Sequence, residues 1–303
     1  MVAAALILIC AAWGANAEIY RWKDAFGRVH YSDSKPEDQA ADDISEDIAN
    51  RANTFSSFVT TQQTQLDNTV WGDLIPGDPN KTELFLLTFA GDASQGVFMR
   101  ESLFIQDLFK RRYQTRGHSI ALINHESTTG QYMVASDDNL RKALKTIGNL
   151  MDDDDILYLY LTSHGSKDHK LYVNFKPHTV RDFGPGEIRD MLDEAGIRWR
   201  VIVVSACYSG GFIPPLKNPY TMIATASQAD RTSFGCADNR NFTYYGDAVF
   251  NNLMSSGAGI VESLKQAPEV VRRMEDDIGI TNHSNPQIWQ GSKIRYKLAE
   301  IEN

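Results

Sequence analysis

Two continuous apolar runs limit the folds open to this chain. One is Ile156-Leu-Tyr-Leu-Tyr-Leu-Thr162, followed at once by Ser163-His164-Gly165; the other is Val201-Ile-Val-Val-Ser-Ala206, followed by Cys207-Tyr-Ser-Gly-Gly211. Each reads as a buried strand that delivers one reactive side chain at its C-terminal end. In an open parallel sheet the ligand crevice lies outside the carboxyl ends of the strands. Neighbouring strands ending in His164 and Cys207 would therefore bring a base and a nucleophile into one cleft.

The pairing of residue types has a chemical reason. A thiol has a pKa of about 8.5, and only its thiolate attacks a carbonyl carbon well. A neighbouring imidazole favours the thiolate as imidazolium and later protonates the leaving amine. The amides of Gly165 and Cys207 are candidates to face a developing oxyanion, and Gly165 with the Ser209-Gly210-Gly211 turn leaves room for a substrate backbone. A lone cysteine after an apolar run is often only a small buried hydrophobe. Two runs with the same strand-end placement point to catalysis instead.

The flanking sequence extends the same architecture. Leu84 to Ala90 is a buried strand, and Phe104, Ile105, Leu108, Phe109 and Tyr113 mark one face of a helix. Ser119 to Asn124 is a second strand, and Leu140, Ala143, Leu144, Ile147 and Met151 give a helix leading into the His164 strand. That order is the order of an α/β fold with a mainly parallel sheet. Pro185 opens a short helix stopped by Gly196, and Thr221 to Ala226 is a further strand. Helices follow over roughly 246–256 and 260–274, the latter expected to be interrupted at Pro268.

Ser163-His164-Gly165 and Ser205-Ala206-Cys207-Tyr208-Ser209-Gly210 resemble the legumain-type cysteine peptidases and, more distantly, the caspases. Ala224-Thr-Ala226, Arg231-Thr-Ser-Phe-Gly-Cys236 and Tyr244-Tyr-Gly-Asp247 resemble that family's pocket-forming segments in order and spacing, so the likeness covers roughly residues 82–291. The resemblance implies a caspase/legumain-like three-layer α/β/α sandwich, and a Cys207–His164 dyad that cleaves peptide bonds through an acyl-enzyme without a cofactor. It also implies a specificity pocket, assigned here to Asp247, Ser205, Arg100, Thr232 and Ser233. Ser205 stands where the family has Glu, and Arg100 is the nearest counterpart of its pocket arginine. A lone carboxylate at Asp247 would favour lysine or arginine through a charge-assisted pair, in competition with the family's preference for asparagine. Asp247 also suits the start of a helix. A transpeptidase using the same dyad is the close chemical rival. A binding protein whose peptidase fold only supports its N-terminal hairpin is the rival from another class.

Composition adds exclusions. The 303 residues, 42% of them hydrophobic, suit one large core with a small appendage. Net charge is −9 with both signs interspersed, which offers no surface to nucleic acid; the expected partner is a peptide or protein substrate. Residues 1–17 hold an apolar segment and the small-x-small Ala15-Asn16-Ala17. They are expected to be an export signal to the periplasm or the medium, although no Lys or Arg precedes the run.

Residues 18–35 alternate around Asp24-Ala-Phe-Gly27 as a short hairpin. Through Tyr20, Trp22, Asp24, Gly27 and Tyr31 they resemble a small domain of unknown function that opens many exported bacterial proteins. Its aromatics are expected to form a mini-core, with binding of an envelope component as the alternative. Residues 36–81 are acidic and polar, a connector with one weak amphipathic helix through Ile44, Ile48, Phe55 and Phe58; the peptidase-like domain runs over 82–303. Asp152 to Asp155 read as a solvated turn, and His169 and His178 share no ligand spacing with another Cys or His, which argues against zinc. Cys236 is expected as a buried thiol, because a disulfide would consume Cys207.

Overall fold

A computed structural model describes residues 18–302 except 27, 28, 33, 38, 39, 177 and 179. The expected leader, residues 1–17, lies outside them. The chain divides into two compact units, 1–58 and 59–303.

In the first unit, β1 (Tyr20–Lys23) pairs antiparallel with β2 (Val29–Ser32) and with β3 (Asp42–Asp43). The expected hairpin is present, with an Asp24 carboxylate oxygen accepting from the Phe26 amide in its turn. Helix α1 (Ser45–Asp67) begins in this unit, so half of the polar connector is helical.

Within the second unit the end of α1 is anchored. Val59 is buried, and the Gln63 carboxamide donates to Thr129 O (2.9 Å) and Tyr132 O (3.0 Å) while accepting from the Val134 amide (2.7 Å). Leu66, Val70, Trp71 and Leu74 then pack on the core. A single buried glutamine that satisfies three backbone groups anchors what composition presents as a solvated stretch.

The body of this unit is a six-stranded sheet. Its strands are β4 (Leu84–Ala90), β5 (Ser119–Ile123), β6 (Ile156–Thr162), β7 (Trp199–Ser205), β8 (Thr221–Thr225) and β9 (Gln287–Gln290), in the order β5-β4-β6-β7-β8-β9. All neighbours are parallel except β9, which closes one edge antiparallel to β8.

Helices α2 (Gly96–Arg112), α3 (Asp137–Leu150), α4 (Pro185–Glu194), α5 (Ile213–Leu216), α6 (Tyr244–Gly246), α7 (Ile260–Asp277) and α8 (Ile294–Glu302) fill the connections. On one face Leu140, Leu144, Ile147, Ile188 and Leu192 of α3 and α4 meet Leu157, Leu159 and Leu161 of β6. On the other, Ile105, Phe109, Leu264, Val271 and Leu298 of α2, α7 and α8 meet Ile156, Tyr158 and Tyr160. The alternation of side chains along a strand thus feeds two cores, and every residue of β6 is buried. At about 1.5–3 kcal/mol per fully buried large apolar side chain, these faces dominate the stability of the unit. The result is the three-layer α/β/α sandwich that the resemblance implied.

Two helices differ from expectation. Pro268 does not interrupt α7, because Leu264, Ala267 and Val271 on both sides of it are buried and hold the helix against a local cost of about 3 kcal/mol. The helix expected over 246–256 is wound as a π-helix from Asp247 to Met254. Among the described residues no helix is long and apolar enough to cross a membrane.

Candidate active site

Parallel registers align three strand ends. Ala90 of β4 lies opposite Thr162 of β6, and Thr162 opposite Ser205 of β7. Two residues beyond these positions stand Asp92, His164 and Cys207. The chain just past β6 is pressed against the chain just past β7, for a Cβ at Gly165 would collide with the carbonyl oxygen of Cys207. Only glycine permits that approach. On its other side Gly165 pairs with Leu171, flanked by bonds from the Tyr172 amide to His164 O (2.9 Å) and from the Ser166 amide to Lys170 O (3.0 Å). A residue between two such bonds turns its own N–H away from the partner strand, so the Gly165 amide is directed away from this hairpin.

His164 is one-third exposed, with Nε2 3.6 Å from a carboxylate oxygen of Asp92, which is buried. The imidazole packs edge-on against Phe98 at 5.3 Å, with the Tyr172 ring at 6.4 Å. Asp92 accepts from the Ser94 amide (3.1 Å), the Ser94 hydroxyl (2.7 Å) and Asn174 Nδ2 (2.9 Å). The sequence does signal Asp92, as the polar residue that follows Gly91 after an unbroken apolar strand. Its meaning depends on β4 lying beside β6, which sequence reading had not established.

Cys207 occupies a tightly held turn. Its sulfur accepts from the Ser233 amide at 3.3 Å and lies 3.6 Å from the Ser233 hydroxyl. The next residue, Tyr208, has a left-handed φ of +56°, uncommon for a bulky side chain and characteristic of functional turns. The turn is fixed by the Tyr208 amide donating to Arg231 O (2.7 Å), by His169 Nδ1 donating to Tyr208 O (3.0 Å) and by the Ser227 hydroxyl donating to Ala206 O (3.1 Å). The room expected beside Gly210 and Gly211 is filled. A Cβ at Gly210 would meet the backbone of Gln228 and Ala229, and one at Gly211 would strike the His169 ring. These glycines serve close packing of the turn and not substrate access.

The five expected pocket residues separate. Ser233 touches the Cys207 sulfur, and Thr232 beside it is exposed. Ser205 is buried, its hydroxyl 3.0 Å from that of Thr243. The guanidinium of Arg100 is taken up by backbone carbonyls, those of Asp238 and, at 2.7 Å, Arg240, and so ties the 238–240 loop to α2. Asp247 is the first residue of the π-helix and accepts from Asn251 Nδ2 at 2.7 Å, but it caps no helix start, because the helix already begins at Tyr244 with Thr243 as its cap.

Beneath Ser205 lies Glu101, which no motif singled out. It is fully buried and gathers the Tyr160 hydroxyl, the Thr162 hydroxyl (3.1 Å), and the Thr243 amide (2.8 Å) and hydroxyl (2.9 Å). Burial pushes its carboxyl up to about 7, against the pull of those four donors.

Compared with known proteins, residues 133–296 match the model of the Peptidase C13 family, a stretch that takes in His164, Gly165 and Cys207. The chain belongs to the Peptidase C13 family. Residues 6–50 of this C13 peptidase match a domain of unknown function, DUF4124. No curated protein matches the chain. Among solved structures, one described as "structure of pro-sf-caspase-1" is 13% identical, with a TM-score of 0.47, over 69% of this chain and 92% of that one.

The C13 peptidase carries two free thiols among its described residues, Cys207 and Cys236. Burial, and then the neighbouring Cys207 and Asp92, push the Cys236 thiol up. Among the described residues no group of three or more His, Cys, Asp or Glu side chains is placed to hold a metal ion.

Proposed function

We propose that this C13 peptidase is an exported cysteine endopeptidase in which Cys207 is the nucleophile and His164 its acid–base partner. The observation that supports this reading is the common register of β6 and β7, which sets His164 and Cys207 two residues past Thr162 and Ser205 on adjacent strands. The Cys207 thiolate attacks the scissile carbonyl carbon, and the amides of Gly165 and Cys207 face the resulting oxyanion. Collapse of the tetrahedral adduct expels the amine, which His164 protonates. Water then releases the acyl group from sulfur with His164 as base. Of the residues that the resemblance assigns to a specificity pocket, Asp247 forms no ion pair among the described residues, and Arg100 is occupied by carbonyls. That favours a basic residue before the cut, with asparagine the alternative. The apolar segment in residues 1–17 supports export.

The test is covalent labelling of the full chain with acyloxymethylketones bearing Asn, Asp, Lys or Arg, read by intact mass beside Cys207→Ser. A single adduct in the native protein and none in C207S is expected, with the Lys or Arg probe reacting fastest. Labelling that survives in C207S, or no labelling by any probe under reducing conditions, sinks the reading.

A further inference from the structure

The third strand end in the register remains unused by this chemistry, and it lies ahead of the stretch matched to the family. Asp92 is 1% exposed and forms no ion pair with Lys or Arg among the described residues; the basic side chain beside it is the imidazole of His164. A buried carboxylate is costly unless it is paired and hydrogen-bonded. Here the donors are Ser94, through amide and hydroxyl, and Asn174. The backbone beside it is equally fixed, with the Ala93 amide donating to Asn174 O and the Asn174 amide to Gly91 O, both at 2.9 Å. Other groups near this pair are Phe98, Tyr172 and the Cys236 thiol. None of them is a cation.

We infer that Asp92 is the positioning residue of the site, holding the His164 ring with Nε2 toward its carboxylate. Nδ1 is then left to exchange the proton with the Cys207 thiol and the leaving amine, and the carboxylate stabilises the imidazolium beside the thiolate. The inference rests on the dyad proposed above. It adds a residue from β4 that the dyad does not require.

The test is the pH dependence of Cys207 alkylation by iodoacetamide in full-length protein, followed by mass, in the native chain, Asp92→Asn and Ser94→Ala. Turnover of a peptide ending in the residue preferred by the labelling probes is measured alongside. With Asp92→Asn the acid limb of alkylation should move toward the free-thiol value of about 8.5. Turnover kcat should fall about 100-fold with little change in KM, as for loss of a group that orients a catalytic histidine. Ser94→Ala, which loosens Asp92 without removing its charge, should shift both in the same direction by a smaller amount; it also carries the test if Asp92→Asn does not fold. In a His164→Ala background Asp92→Asn should leave the alkylation profile unchanged. An unshifted alkylation profile with kcat within twofold of native overturns the inference. Turnover that persists in Cys207→Ser, in which Cys236 still offers a thiol to iodoacetamide, overturns the dyad itself, a separate result.

Discussion

Glu101 shows how a single buried side chain can join the strands that lead to His164 and Cys207. Its carboxylate bonds Thr162, two residues before His164, and Thr243, whose hydroxyl meets Ser205, two residues before Cys207. Its carboxyl is raised from 4.5 to about 7 by burial. The native state therefore holds this proton more tightly than the unfolded state does, so the contribution of Glu101 to stability is fully present below about pH 4.5 and is lost as pH rises through about 7. That loss is on the order of 3 kcal/mol. Glu101→Gln should abolish this component of the slope, so urea unfolding at pH 5 and pH 8 should differ less in the variant than in the native protein. Equal pH slopes for the two would show that Glu101 does not titrate across this window. Cys207 and His164 were legible as candidates in the sequence because each lies just past a long apolar run. Glu101 was not, because a carboxylate within a helix, next to Arg100, looks like a solvated charge until the packing on β6 is known.

At the scale of elements, the strands were the most readable parts, since a run buried on both faces has no other outcome in an α/β layer. The helices were read from their apolar stripes, and α7 shows where local preference and tertiary burial compete. Pro268 supplies no amide to the Leu264 carbonyl, yet Leu264, Ala267 and Val271 are buried around it. Packing prevails, so the helix continues and the local cost is retained. Pro268→Ala should therefore stabilise the protein by about 1–2 kcal/mol, the helix gain being partly offset by greater freedom of the unfolded chain. Chemical denaturation of the two proteins measures it, and an unchanged or lower midpoint would mean that the proline is fully accommodated. The connector departs from the solvated stretch its composition suggests for the opposite reason. Its stabilising contacts come from Gln63, a polar residue with no periodic signal.

For the whole molecule, the compact unit that carries the candidate site begins at residue 59 and not at the start of β4. Residues 59–81 contribute buried Val59, the three hydrogen bonds of Gln63, and Leu66, Val70, Trp71 and Leu74 packed on the same core as β6. Three buried hydrogen bonds are worth roughly 3 kcal/mol net, and removing Gln63 would leave the Thr129 and Tyr132 carbonyls and the Val134 amide unpaired. Burial of even part of the five apolar side chains adds several kcal/mol more. A chain begun at residue 82 should accordingly melt at least about 10 °C below one begun at residue 59, since each kcal/mol moves the midpoint of a domain this size by about 2–4 °C. Both should still expose Cys207 to the acyloxymethylketone at low temperature, because the strand ends that place it all lie beyond residue 82. Equal melting temperatures would show that the end of α1 rests on the sheet domain without stabilising it. Loss of labelling only in the shorter chain would instead make the Gln63 contacts a support for the cleft, acting through the Thr129–Val134 segment and the Asn124 side chain that bonds Ala135 and the Gly91 carbonyl just before Asp92.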